Sequence, residues 1–265
     1  MTPSLPRRLF AEFLGTALLV TAVVGSGIAA ASLSPGDVGL QLLENSIATM
    51  LALSVLIVVL GPVSGAHLNP VVTAADWWLH RRGGGISATH AGGYITAQMS
   101  GAVAGSMLAN AMFALAPVTW SARSRSAVHL WLGEVVATAG LILVVFALVR
   151  TGRAALAPMS VGAYIGAAYW FTSSTSFANP AVTIGRAFTD TFAGISPGSV
   201  PGFVIAQCVG AVIGVTALAV LYPHRMPEPT LAAEPAPAPA LAAEPGRAPD
   251  VGDGTPVRER ARSIR

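Results

Sequence analysis

Two asparagine–proline pairs, Asn69-Pro70-Val71 and Asn179-Pro180-Ala181, stand 110 positions apart in a chain of 265 residues. Asparagine is a good helix N-cap and proline is favoured at the first helical position. Each pair therefore reads as the start of a helix, followed by ValValThrAlaAlaAspTrpTrpLeuHis in one case and AlaValThrIleGlyArgAlaPhe in the other. Neither stretch reaches the roughly 20 residues that a bilayer crossing takes. The asparagine amide carries two N–H donors, which suits it to hold the oxygen of a passing neutral solute. The plain alternative is that each asparagine only caps its helix; the duplication favours the pore-facing role. Glu12 and Glu134 lie inside apolar runs, where a carboxylate is costly and points to function by default. His67 lies two residues before Asn69 with no second ligand at zinc spacing. The single cysteine, Cys208, excludes an intrachain disulfide and is expected in the core. No nucleophile elbow or phosphate-cradling glycine loop is present, so no enzyme is expected, and no metal or cofactor.

The elements that must position these residues are apolar helices. The chain is 53% hydrophobic and only 10% charged, against roughly 25% in soluble domains, and its mean hydropathy is +0.65. Six apolar stretches suit bilayer crossing, from about Leu9–Leu33, Leu42–Val63, Thr89–Leu115, Val128–Val149, Ala154–Ser173 and Val200–Tyr222. They are continuous rather than alternating, which disfavours a membrane barrel. All 15 basic side chains are arginine, and they form no basic stripe with interleaved aromatics, so no nucleic-acid partner is expected. Arg7, Arg8, His80, Arg81, Arg82, Arg150, Arg153 and Arg225 fall on one side of the six spans. Asp37, Arg123, Arg125 and Asp190 fall on the other. Arg123 and Arg125 run against the positive-inside rule, yet the count places both termini in the cytoplasm. Trp77, Trp78 and Trp120 read as interface or packing residues. Residues 226–265, rich in proline and alanine, read as a disordered cytoplasmic tail after a channel domain over 1–225.

The two halves repeat. Ala97-Gln98 with Gly101 and Gly105 matches Ala206-Gln207 with Gly210 and Gly214. Glu12 with Thr16-Ala17 matches Glu134 with Thr138-Ala139. Each half, about 7–115 and 128–223, holds three spans, an odd number. The second copy must insert upside down, giving an inverted 3+3 repeat. The two half-helices then meet N-terminus to N-terminus near the midplane, lining a cavity, with their positive ends opposing cations.

The chain resembles the aquaporin and glycerol-facilitator (major intrinsic protein) family over about Leu9 to Tyr222. SerGlyAlaHisLeuAsnProValVal (64–72) and SerPheAlaAsnProAlaVal (176–182) look like its two signature loops, and AlaGluPheLeuGlyThr (11–16) like its first-helix motif. Val71 replaces the usual alanine. The resemblance implies an all-α membrane channel of six spans and two re-entrant half-helices, assembled as a homotetramer in the cell (inner or plasma) membrane with lipid around it. It implies that Glu12 and Glu134 brace the re-entrant loops and that His67 lines the cytoplasmic half of the pore. It implies a selectivity constriction at Thr49, Ala167 (or Gly166 if the register shifts), Ser176 and Val182. The last position is normally arginine, and valine there gives a wider, weakly polar opening. Arg186, one turn on, either reaches back to that opening, charges the outer vestibule, or pairs with a loop group such as Asp190. The second loop is similar to that of a bacterial branch associated with arsenic resistance. The expected cargo is small neutral solutes: trihydroxy metalloids such as arsenite and antimonite and glycerol-like solutes, with some water. The alternatives are a plain water or glycerol facilitator, a proton-coupled secondary transporter, and a scaffold without transport.

Overall fold

The computed structural model describes residues 3–81 and 85–223. Arg82, Arg225 and the tail over 226–265 lie outside the described residues. Eight α-helices carry the fold: α1 (Leu5–Leu33), α2 (Val38–Ser64), α3 (Pro70–His80), α4 (Ala88–Met112), α5 (Val128–Arg150), α6 (Ala157–Phe171), α7 (Pro180–Gly185) and α8 (Val200–Leu221). Among the described residues there is no strand. Four helices, α1, α2, α5 and α8, are by themselves long and apolar enough to cross a membrane. The other two long elements depend on their neighbours. α4 buries the polar side chains Gln98, Ser106 and Asn110 against the rest of the protein. α6 has only 15 residues and continues a short 3-10 turn at Ala154–Leu156.

Large apolar side chains such as Leu51, Val55, Leu132, Val136, Ile205 and Val212 are exposed on the long helices. Patches of this extent suit lipid rather than water. Cys208, expected in the core, is exposed on α8. The packing inside α8 is reserved for the small side it turns inward, and the cysteine lies off that stripe.

The helices associate through that small side, because lipid offers no hydrophobic drive and backbones must approach closely to gain packing energy. A methyl group at Gly101 or Gly105 of α4 would overlap the carbonyl oxygens of Phe13 and Ala17 on α1. Gly210 and Gly214 of α8 stand in the same relation to Val135 and Ala139 on α5. The repeat read from sequence is thus a repeat of contacts. At one end of the molecule Arg8 Nε donates to Tyr94 Oη (2.6 Å), which donates to the carbonyl of Ser64 (2.9 Å). The N-termini of α1 and α4 therefore meet the C-terminus of α2, so α1 and α4 run parallel and α2 against them. Arg150 donates to the carbonyls of Leu218 (3.4 Å) and Tyr222, which joins the C-termini of α5 and α8.

Gly105→Ala is expected to cost about 1–3 kcal/mol of stability by overpacking, read as a fall in unfolding temperature of the purified protein in detergent. Gly92→Ala, on the open side of the same helix with nothing within 4 Å of the new methyl, should not lower that temperature and should raise it slightly, because alanine is the better helix former.

Candidate functional site

The two asparagines meet in the middle of the protein. Asn69 Oδ1 accepts from the backbone N–H of Val71 (3.1 Å), and Asn179 Oδ1 from Ala181 (3.0 Å) and Val182 (3.3 Å). Capping is therefore real at both half-helices. The amide nitrogens do something else. Asn69 Nδ2 donates to the carbonyl of Ala178 (2.8 Å), and Asn179 Nδ2 to that of Leu68 (2.8 Å). Each asparagine thus ties its own helix to the opposite loop. One N–H of each amide is used in this way and one remains, and both residues line the same cavity. The second half-helix is shorter than the sequence suggests. α7 ends at Gly185, whose carbonyl accepts from Ser106 Oγ (2.6 Å), and a 3-10 turn carries the chain on to Phe188.

The loops before the asparagines run through left-handed backbone. Ala66 and Leu68 have φ of 47° and 48°, and Ser176 and Ala178 have 48° and 47°. Both loops are held from behind by a fully buried carboxylate. Glu12 accepts from Ser64 Oγ (2.6 Å), the N–H groups of His67 (3.0 Å) and Leu68 (2.7 Å), and Gln98 Nε2 (2.7 Å). Glu134 accepts from the N–H groups of Phe177 (2.8 Å) and Ala178 (2.8 Å) and from Gln207 Nε2 (2.6 Å). Gln98 and Gln207 each also reach a threonine on the neighbouring half-helix, Thr73 (2.9 Å) and Thr183 (2.8 Å). With donors on both oxygens, these carboxylates are committed to the scaffold, which leaves them ill suited to relay protons. The glutamines are a part of the brace that sequence reasoning matched as a repeat landmark without assigning a task; the available signal was that each repeat pairs one glutamine with one intramembrane glutamate in the same order.

The cavity occupies about 660 Å³. Along it lie His67, both asparagines, Thr49, Ser176, Val182 and Arg186. His67 Nδ1 sits 3.1 Å from Thr73 Oγ1, and its Nε2 is 4.0 Å from Asp76, which also faces His80 Nδ1 at 2.9 Å. Ser176 Oγ is buried and has no hydrogen-bond partner among the described residues.

Ala167 is not on this wall. It is exposed on the far side of α6, and Gly166 packs against Met50 of α2. Besides Ala157 at its first position, α6 turns Pro158, Val161, Ile165 and Tyr169 to the cavity, spaced three or four apart as one helical face requires. Tyr169 is buried and its hydroxyl donates to Thr49 Oγ1 (3.2 Å). The resemblance misses this face because Thr172–Ala178 is irregular chain, across which the register of α6 does not carry over from the Asn179 motif. Arg186 does not pair with Asp190. Its Nε donates to the carbonyl of Ala193 and its guanidinium lies 3.4 Å from the centroid of the Phe177 ring, while Asp190 accepts from the N–H of Ala122 (3.0 Å).

Residues 1–176 match the family described as Major intrinsic protein. The chain is 50% identical over 208 residues to Aquaglyceroporin AqpS of Rhizobium meliloti (strain 1021), covering 78% of this chain and 87% of that one. It is 33% identical over 273 residues to a Glycerol uptake facilitator protein of Pseudomonas aeruginosa, covering 88% and 95%. Its fold is similar to that of the aquaglyceroporin from Plasmodium falciparum, with a TM-score of 0.62 and 23% identity over 81% of this chain and 96% of that one.

Glu134→Gln places an N–H donor where an oxygen now accepts from a buried N–H. The loss should approach about 3 kcal/mol, the scale of hydrogen bonds to a charged group. It is checked by thermal unfolding in detergent, with Glu12→Gln expected to behave alike because it braces the other loop in the same way.

Proposed function

We propose that this chain, which belongs to the major intrinsic protein family and is a transmembrane channel for small uncharged solutes rather than an enzyme, conducts trihydroxy metalloids and glycerol-like solutes together with some water. The observation that carries this reading is the make-up of the wall around Val182. Valine offers neither charge nor donor at a position where an arginine would narrow the passage, and the small hydroxyl residues Thr49 and Ser176 line the same cavity. Tyr169 takes the place on the wall that Ala167 was expected to hold, and its ring closes that side with an apolar face and a hydroxyl anchored on Thr49. A small polyhydroxy solute finds donors in Asn69 and Asn179 and apolar walls for its non-polar face. Arsenite and antimonite are mostly neutral trihydroxy species near pH 7, so they fit the same passage as glycerol. The relatives named as an aquaglyceroporin and a glycerol facilitator support the solute class; the metalloid preference is the finer part of the proposal.

In this reading Asn69 to Val71 and Asn179 to Ala181 are the pore motifs. Thr49, Tyr169, Ser176 and Val182 are the constriction, and His67 lines the other half of the pore. The protein is a homotetramer in the cell membrane, with both termini in the cytoplasm. The mouth at Arg186 then faces outward and the mouth at Asp76 inward. Flux is passive and follows the solute gradient.

The test is arsenite and water permeability measured on the same proteoliposomes. Arsenite flux that persists without a proton gradient is expected. Fast water movement with no arsenite flux would return the protein to a plain water channel. Val182→Arg should reduce glycerol and arsenite flux more than water; equal loss of all three in correctly inserted protein would remove Val182 from the constriction.

A further inference from the structure

The charge that position 182 lacks sits four residues further on, at the start of the 3-10 turn that follows the half-helix α7. Arg186 is only 2% exposed and lines the pore cavity beside Val182. Its guanidinium stacks on Phe177, a cation–π contact that fixes the charge in place. Arg186 also lines a second cavity of about 160 Å³, together with Arg123 and Arg125 from the α4–α5 loop. The Arg125 guanidinium is 5.2 Å from the same Phe177 ring, and its Nε donates to the carbonyl of Gly194 (3.1 Å). Among the described residues, no carboxylate lies within salt-bridge distance of any of the three. Burial, and then the like charge of Arg123, disfavour the Arg125 cation, as expected where positive groups crowd without a counter-ion. These are also the arginines that run against the positive-inside pattern.

The inverted repeat sharpens the contrast. Position 186 follows Asn179 by the same seven residues that separate position 76 from Asn69. The first half-helix carries Asp76 there, with His80 at 2.9 Å and His67 at 4.0 Å. The equivalent position holds an acid with partners at one mouth and a base without a counter-charge at the other.

We propose that Arg186, backed by Arg123 and Arg125, sets the charge selectivity of the pore: it bars cations at this mouth while Val182 leaves the width open. The inference rests on the pore reading above and concerns which solutes of a given size are refused. A fixed positive charge in a low-dielectric passage repels a cation much more strongly than it would in water. The same charge leaves neutral solutes untouched and offers them donors.

Urea and guanidinium are planar and close in size, and they differ in charge. In proteoliposomes holding the full-length protein, urea should enter roughly tenfold or more faster than guanidinium. Arg186→Gln, which keeps a donor for the Ala193 carbonyl, should raise guanidinium flux by about tenfold and leave urea flux within about twofold. Arg186→Lys should keep the cation out. An Arg186→Gln channel that passes urea and still refuses guanidinium overturns the proposal. If that variant does not assemble, the double variant Arg123→Gln, Arg125→Gln decides. A rise in guanidinium flux of roughly threefold is expected, and an unchanged ratio to urea is the overturning result. Wild-type vesicles closed to urea and glycerol alike would remove the pore reading itself. Vesicles equally open to urea and guanidinium would remove only this inference.

Discussion

Two buried carboxylates hold open a passage that the chain would otherwise have no reason to form. The loops before Asn69 and Asn179 place non-glycine residues in left-handed backbone, each at a cost of about 1–2 kcal/mol. They do so at a depth where lipid-exposed irregular backbone is not tolerated. Glu12 and Glu134 make this conformation the favoured one by accepting consecutive N–H groups from each loop. A trans peptide sets its carbonyl opposite its N–H. Turning the amides of His67, Leu68, Phe177 and Ala178 toward a carboxylate therefore turns the carbonyls of Ala66, His67, Ser176 and Phe177 away from it, and these residues line the cavity. The polar stripe of the passage is thus the back of the carboxylate brace. The cost of burying the two charges is offset by hydrogen bonds on both oxygens of each.

The brace also explains why neither half could serve alone. Asn69 completes its hydrogen bonding on Ala178, and Asn179 on Leu68. Those two carbonyls are presented by the left-handed turns that the opposite glutamate supports. Each loop is therefore held by its own carboxylate and read by the other half's asparagine. Gln98 and Gln207 extend the arrangement to Thr73 and Thr183, locking each half-helix to the same carboxylate that shapes its loop. The meeting point of the two half-helices is set by reciprocal contacts rather than by the attraction of one pair of helix ends.

Much of this was legible in the sequence because the signals are local and doubled. An Asn-Pro start, a carboxylate in an apolar run and a small-residue stripe each carry their physical reason within a few residues. Their recurrence in order gives the inverted repeat. What was not legible depended on irregular backbone. The cavity face of α6 is set by the turn of that helix relative to α2, where Tyr169 finds Thr49, and the residue implied by resemblance, Ala167, lies on the outside. The partner of Arg186 is the carbonyl of Ala193, and a backbone carbonyl leaves no mark in sequence. A search for a side-chain partner was bound to choose Asp190, which binds the Ala122 N–H instead. Cys208 failed for a simpler reason. In a membrane helix that is apolar all round, hydrophobicity does not distinguish the lipid face from the core, and only the glycine stripe of α8 does.

Size and charge need not be controlled by one residue. An arginine at position 182 would occupy the passage with its own side chain, so that the group refusing cations would also refuse bulky neutral solutes. Moving the positive charge to position 186 shifts it roughly 6 Å along the half-helix axis. There it lies on the Phe177 ring instead of across the passage. The Coulomb interaction falls only as the inverse of distance, whereas steric exclusion ends within one van der Waals contact. A shift of one turn therefore gives up most of the narrowing and keeps most of the repulsion. In the proposed pore, that difference in range lets a valine constriction and a charge-selective mouth coexist.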